Sequence, residues 1–386
     1  MKTIQQQFSV PFSYPVHFTH GAFDCANDVL VSTLAPLVDD APARIMVVVD
    51  QGLATAHPQL LAQIEAYFTH FSARMKWVAP PFVVPGGEQA KNGWTVVREV
   101  MTRMGAAHLD RQSYVLAIGG GCVLDMVGFA ASLVHRGVRL IRMPSTVLAQ
   151  CDAGVGVKNG MNEGGAKNFV GTFAPPYAVI NDLTLLTTLA RDDWAGGLAE
   201  AFKVAIIADA AFFARLCAVA PALAQRDCAA MEEVVYQTAA LHLRHIATSG
   251  DPFEFGSARP LDFGHWAAHR LELMSHFALG HGPAVAIGIA LDSTYAHLKG
   301  LLSEAECTAI LTGLSQCGLP IWSPLLHQRT AEGQLEILRG LEQFREHLGG
   351  QLNITLPSSI GAKVEVHAME DACVERACAR LQSRIV

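Results

Sequence analysis

The chain has 386 residues, 51% of them hydrophobic and only 16% charged, which suits about two cored domains at roughly 150 residues each and excludes a disordered, collagenous or coiled-coil protein. Thirty-five acidic against 28 basic residues give a net charge of −7, which speaks against a general nucleic-acid or anionic-membrane binder. The long uncharged windows 273–291 and 308–328 are broken by glycine, histidine and proline, and the opening MKTIQQQFSVPFSYPV lacks a signal-peptide core, so the expectation is a soluble, cytoplasmic protein.

In chain order, the β-branched run 44–49 predicts a buried strand closed by Asp50, and helical spacing covers 58–75. Residues 82–84 read as the next strand and 88–104 as the next helix. Strand 114–118 runs into Gly119, Gly120 and Gly121 and then a helix over 123–134; 138–143 and 178–180 are further strands. Strands interleaved with helices imply right-handed crossovers and a mostly parallel, doubly wound sheet. Beyond Leu183 the strand signals nearly vanish. Ala- and Leu-rich helical patterns cover 192–209, 229–248, 262–276, 283–299, 303–316 and 331–348, with Asp192 and Asp193 suiting a helix start by capping and by the dipole. A late strand, 352–356, precedes a last helix. The predicted fold is therefore α/β: a Rossmann-like parallel-sheet domain over 1–182, then a mostly helical domain over 183–386. Open α/β sheets bind ligands at strand C-terminal ends, so chemistry is expected in the cleft between the halves.

Strand, triple glycine and helix form a phosphate cradle in principle, because glycines admit close backbone approach and a helix N-terminus offers free N–H groups. A tight turn alone would explain the same residues. Asp50 suits a ribose hydroxyl or an ordinary cap. The stretch 85–91 places Glu88 and Lys91 behind a glycine pair, and by itself it reads as a loop with a solvated charge pair. The segment 152–168 is the most unusual: a loop packing five glycines with Asp152, Lys158, Lys167 and Asn168, suited to a phosphate or polyol. Glu200 lies on an apolar helix with Lys203 three residues on as an ion-pair partner. His265 and His269 share one helical face at i, i+4, and His281 opens another helix. One glutamate and two histidines make a catalytic metal site with an open position. Spacing alone does not choose among His265, His269, His276 and His281. Nine cysteines without a C-x-x-C pair read as reduced, mostly buried thiols.

Taken together, Gly119-Gly-Gly-Cys-Val-Leu-Asp125, Arg136-Gly, Pro144-Ser-Thr146, Asp152 through Lys158, Lys167-Asn168, Gly197-Leu-Ala-Glu200-x-x-Lys203, Gly264-His265-x-x-x-His269 and His281-Gly occur in order. The chain thereby resembles the sugar phosphate cyclases, the 3-dehydroquinate synthase superfamily, from Asp50 to about residue 300. The resemblance implies a homodimer of Rossmann-like and helical domains, with NAD and one divalent metal, zinc or cobalt. It implies that Glu200, His265 and His281 hold the metal. Asp50, Glu88, Lys91, Gly120, Gly121, Asp125, Thr146, Asp152 and Lys167 fall where the family holds NAD. Lys158, Asn168, Lys203 and Arg136 fall where it holds a phosphorylated C7 sugar, and His269 neighbours the phosphate. The implied reaction is oxidation, phosphate elimination, re-reduction and intramolecular aldol closure.

The substrate end departs from the dehydroquinate synthase pattern. Asp262 replaces an asparagine, as in 2-epi-5-epi-valiolone synthases, which take a sedoheptulose phosphate, yet His269 is kept as in dehydroquinate synthases. Arg244 replaces a lysine, Ala258 an arginine (with Arg259 next to it) and Pro283 a glutamate. The lysine-rich stretch that binds a substrate carboxylate reads 344–350, with Arg345 its only cation. Losing that clamp argues against an unaltered keto-acid substrate. Two other readings compete: a metal-dependent polyol dehydrogenase that releases NADH, and a degenerate binding protein.

Overall fold

The structure is a computed structural model that describes residues 1–35, 41–164, 166–249, 251–253, 260–347 and 350–384. It divides into two compact units, one comprising Met1–Pro144 with Val157–Asp182 and the other Ser145–Gly156 with Leu183–Val386. The segment 145–156, which carries Thr146 and Asp152, thus belongs with the helical unit although it precedes residue 182.

The first unit is built on a parallel sheet. Its strands are β1 (Val16–Thr19), β2 (Ala43–Asp50), β3 (Met75–Trp77), β4 (Phe82–Val84), β5 (Tyr114–Gly119), β6 (Arg139–Pro144) and β9 (Ala178–Asp182), ordered β1-β9-β6-β5-β2-β3 with β4 also pairing β2. Val48 of β2 stands opposite Ala117 of β5, and Ile118 opposite Met143 of β6. All six residues of β5 and all five of β9 are buried, as expected of central parallel strands covered on both faces. Helices α1 (Val29–Thr33), α2 (Gln51–Ala56), α3 (Leu60–His70), α4 (Thr95–Ala106) and α5 (Gly121–Leu133) complete the alternation.

The segment expected to be a glycine-rich loop is ordered differently. Residues 149–153 form a π-helical turn, and β7 (Lys158–Glu163) and β8 (Ala166–Phe173) form an antiparallel hairpin. Glycine and asparagine disfavour strands by propensity, but tertiary contacts override that here. The Arg142 guanidinium, fully buried in β6, donates to the Lys158 carbonyl at 2.9 Å and to Asn159 Oδ1 at 2.7 Å, tying β7 down.

In the second unit, the predicted helix over 192–209 is two helices, α6 (Arg191–Gly196) and α7 (Leu198–Ala208). Ala190 rather than an aspartate occupies the cap of α6, so Asp192 and Asp193 contribute through the first-turn dipole only. An unpredicted helix α8 (Ala210–Ala224) follows, capped by Asp209, and then α9 (Cys228–Thr248), capped by Asp227. Next come α10 (His265–Met274), α11 (His281–Leu298), α12 (Glu304–Gln316), α13 (Arg339–His347), the hairpin β10 (Ile354–Ser359) with β11 (Ala362–Val366), and α14 (Asp371–Gln382). The helix expected over 331–348 shortens to α13 because Gly333 at φ +86° and a 3₁₀ turn occupy its first half. No described helix is long and apolar enough to cross a membrane. All nine cysteines are free thiols.

Candidate active site

In the helical unit, three helix beginnings converge because glycines let backbones touch. A Cβ on Gly282 would lie 2.2 Å from the Gly196 carbonyl oxygen, so the start of α11 rests directly on the end of α6. A Cβ on Gly288 would lie 2.0 Å from the Gly264 carbonyl oxygen, so the residue before α10 sits against the middle of α11. Gly264 itself has φ +80°, a left-handed conformation suited to glycine, and its N–H donates to Asp292 Oδ2 at 3.0 Å.

These contacts bring together Glu200 on α7, His265 at the start of α10 and His281 at the start of α11. His265 Nε2 and His281 Nε2 each lie 3.7 Å from Glu200 Oε1. One ligand atom from each of the three residues falls within 4.8 Å of the others. A tetrahedral ion with bonds of about 2.0–2.2 Å places neighbouring ligand atoms roughly 3.3–3.6 Å apart, so the trio needs little adjustment to share one. Glu200 is 1% exposed and its Oε1 accepts no hydrogen bond, a costly state that a bound cation would relieve. Burial pushes the Glu200 carboxyl up to about 7, against the opposing charge of Lys203. Burial, then the charge of Lys203, holds His265 well below the usual histidine range, leaving the neutral imidazole that a metal requires. His269, one turn along α10, stands with its ring 5.6 Å from that of His265 and 6.1 Å from that of His281. His269, Glu272 and His281 form a second trio of the same compactness. His276 is exposed beyond the end of α10 and belongs to neither trio.

Lys203 pairs with Glu200 Oε2 as the i, i+3 spacing suggests, and it also reaches Asp152 Oδ2 at 3.2 Å. Burial works to lower the Lys203 ammonium, but Asp152 and Glu200 more than reverse it and hold it above its usual range. Asp152 Oδ1 lies 3.2 Å from His242 Nδ1 on α9. Burial opposes the Asp152 charge, but Lys203 and His242 outweigh it and keep the carboxyl well below its usual range. Thr146 Oγ1 accepts from the Ala149 N–H at 3.1 Å and so braces the π-helical turn that carries Asp152. Sequence reasoning missed His242 and Glu272. Neither stands in a motif, and each has its place only through a partner brought in by the fold.

In the sheet unit, Asp50 caps α2 through Oδ1, accepting from Gly52 N–H at 2.7 Å. A Cβ on Gly86 would lie 2.5 Å from either Asp50 oxygen, and one on Gly119 2.9 Å from Asp50 Cβ, so glycine backbone lines the space beside this carboxylate. Gly120 and Gly121 open α5 at the end of β5, giving the strand–glycine–helix cradle. The charge pair read as solvated is not: Glu88–Lys91 is a 3₁₀ turn and Lys91 is 3% exposed. Lys91 pairs with Asp125 at 2.6 Å and donates to Asn168 Oδ1. Burial pulls Lys91 down, and Asp125 more than offsets it, so its net shift is upward. Glu88 accepts from Asn162 Nδ2 at 2.7 Å and stands 3.7 Å from Lys167. Asn168 takes up φ +51° in β8 and Arg136 φ +64° in an exposed 3₁₀ turn; Lys158 is exposed at the start of β7. Of the residues expected around a sugar phosphate, Asn168 therefore joins the Lys91 network and Lys203 the Glu200 network. Asp262 lies in a 3₁₀ turn before α10, Arg244 on α9 and Arg345 on α13, while Ala258 and Arg259 lie outside the described residues.

With this geometry in place, comparison with known proteins is specific. Residues 81–196 match the family model of the 3-dehydroquinate synthase N-terminal region and 197–339 that of its C-terminal region. The chain is 33% identical over 362 residues to a 2-epi-5-epi-valiolone synthase of Streptomyces glaucescens, covering 94% of this chain and 89% of that protein. It is 32% identical over 353 residues to a 3-dehydroquinate synthase of Azotobacter vinelandii, covering 91% and 90%. Its structure is similar to that of ValA, a 2-epi-5-epi-valiolone synthase from Streptomyces hygroscopicus subsp. jinggangensis 5008 with NAD+ and Zn2+ bound. The TM-score is 0.86 at 30% identity, covering 99% of this chain and all of that one.

Proposed function

The chain belongs to the 3-dehydroquinate synthase family, and on that premise we propose that it is a carbon–oxygen lyase, a sugar phosphate cyclase that turns a phosphorylated C7 sugar into a carbocycle. The observation that carries this reading is the buried Glu200 Oε1, without a hydrogen bond, facing two imidazole Nε2 atoms at 3.7 Å each. When bound, NAD would accept and return a hydride, and a divalent cation, zinc or cobalt, would stabilise negative charge on the hydroxyl oxygen of the carbon being oxidised. Glu200, His265 and His281 would hold the cation. Asp50 would accept from a ribose hydroxyl, and Gly120 and Gly121 would admit the pyrophosphate to the N-terminus of α5. Glu88, Lys91, Asp125, Thr146, Asp152 and Lys167 complete the cofactor set.

Lys158, Asn168 and Arg136 would bind the sugar phosphate and its hydroxyls, with His269 beside the phosphate. Lys203 is already held by two carboxylates, so its charge is fixed before substrate arrives, which is preorganisation in the physical sense. Oxidation acidifies the adjacent C–H, and the leaving phosphate takes that proton, so no dedicated base is required of the protein. The remaining work is positioning for elimination and ring closure. The working unit is a homodimer.

A second reading, a 2-epi-5-epi-valiolone synthase-like cyclase acting on a sedoheptulose phosphate, is favoured by Asp262 and by the absent carboxylate clamp at Arg244, Ala258 and Arg345. The test is incubation of the purified protein with NAD, metal and C7 sugar phosphates with and without a carboxylate. Inorganic phosphate, reduced nicotinamide and the product's NMR spectrum are followed together. Catalytic phosphate release without net NADH is expected, and the substrate that turns over separates the two cyclase readings. NADH accumulating in proportion to substrate, without phosphate, would establish a polyol dehydrogenase instead.

A further inference from the structure

We infer that Glu272 is a positioning residue for the metal centre, fixing the tautomer and ring orientation of His281; the inference rests on the reading of Glu200, His265 and His281 as ligands. Glu272 Oε2 lies 3.2 Å from His281 Nδ1, while Nε2 of the same ring faces Glu200. An imidazole whose Nδ1–H donates to a carboxylate has its lone pair on Nε2, the nitrogen turned toward the candidate ion. His265 is treated alike: its Nδ1 lies 3.1 Å from the Phe263 carbonyl oxygen and its Nε2 faces Glu200. Both rings are thus tied through Nδ1 and present Nε2 to one point, His265 by a backbone oxygen and His281 by an acidic side chain.

Glu272 is 3% exposed and sits in the last turn of α10, where the helix dipole presents its negative end. A carboxylate in that position is stabilised by an N–H donor and by positive charge beyond it, and the ring of His281 leads to both. A carboxylate behind the imidazole also makes the ring a stronger donor toward a cation.

The experiment titrates Co2+ into metal-free full-length wild type, Glu272→Gln, Glu272→Ala, Glu200→Ala and His281→Ala, following visible absorption of bound Co2+. NAD binding and circular dichroism are measured on each as controls of folding. Wild type should bind one equivalent and His281→Ala should lose it. Glu272→Ala should bind about 10–100-fold more weakly with an altered spectrum, and Glu272→Gln, which keeps an acceptor, should fall between. Affinity within about twofold of wild type in a folded Glu272→Ala, with His281→Ala still defective, would overturn the role of Glu272 while leaving the metal centre standing. Complete loss in Glu272→Ala with retention in Glu200→Ala would also overturn it, by making Glu272 a ligand alongside His269 and His281. Equal binding by wild type and His281→Ala would instead refute the metal reading itself.

Discussion

A carboxylate as deeply buried as Glu200 normally has its oxygens saturated, yet Oε1 has only two imidazole nitrogens at 3.7 Å before it. The rest of the local chemistry supports the same geometry. Lys203 holds Oε2, Asp152 holds Lys203 and is itself held by His242, and Glu272 and the Phe263 carbonyl orient the rings. Lys158, exposed at the start of β7, is assigned to the substrate phosphate in the proposed function, so Lys158→Ala should lower phosphate release by at least about 100-fold, the scale of losing one charge-stabilising contact. NAD affinity, followed by fluorescence titration, should stay nearly unchanged; normal turnover in this variant would remove Lys158 from the substrate site.

Asp292 offers a second residue-scale test. It is fully buried, accepts from Trp266 Nε1 at 2.8 Å and from Gly264 N–H, and burial raises its carboxyl to about 7. An acid whose folded pKa lies above its unfolded value binds more protons in the native state, so it costs stability as pH rises from about 4 to 7. Thermal melts of Asp292→Asn should therefore decline less steeply than wild type over that window. Parallel curves would show that Asp292 does not titrate there.

At the scale of elements, the site depends on backbones in contact. Gly288→Ala would push a methyl into the Gly264 carbonyl and separate α10 from α11, costing about 1–3 kcal/mol. Because α10 carries His265, the folded variant should also lose metal affinity; a destabilised protein with unaltered Zn2+ binding by calorimetry would separate packing from site geometry. Much of this level is legible in the sequence. The run 44–49 and the run into Gly119 declare central strands, because burial on both faces requires continuous apolar residues. Spacing alone lists Glu200, His265 and His281 as donors without choosing two rings from 16 histidines; the family resemblance names them, and the physical selection comes from glycine contacts between helices far apart in sequence. β1 was missed because its four residues are only half buried and lie at the sheet edge. The β7–β8 hairpin was missed because Asn159, Gly160, Asn162 and Gly171 carry turn chemistry, and the buried Arg142 that holds it lies on another strand. Glu272 and His242 carry no local signal at all.

At the scale of the molecule, a parallel-sheet unit and a helical unit each hold a polar constellation of their own: Asp50, Glu88, Lys91, Asp125, Lys167 and Asn168 in the first, and Asp152, Glu200, Lys203, His265, His269 and His281 in the second. The proposed function draws on both sets, and its choice of substrate turns on Asp262, Arg244, Pro283 and Arg345. The most direct test is X-ray absorption at the zinc edge on protein loaded with one equivalent of Zn2+. We predict a shell of nitrogen and oxygen only, with outer-shell scattering from two imidazoles that drops to one ring in His281→Ala. A sulfur shell, or a spectrum unchanged by substituting both Glu200 and His281, would contradict the shared ion on which the proposed chemistry rests.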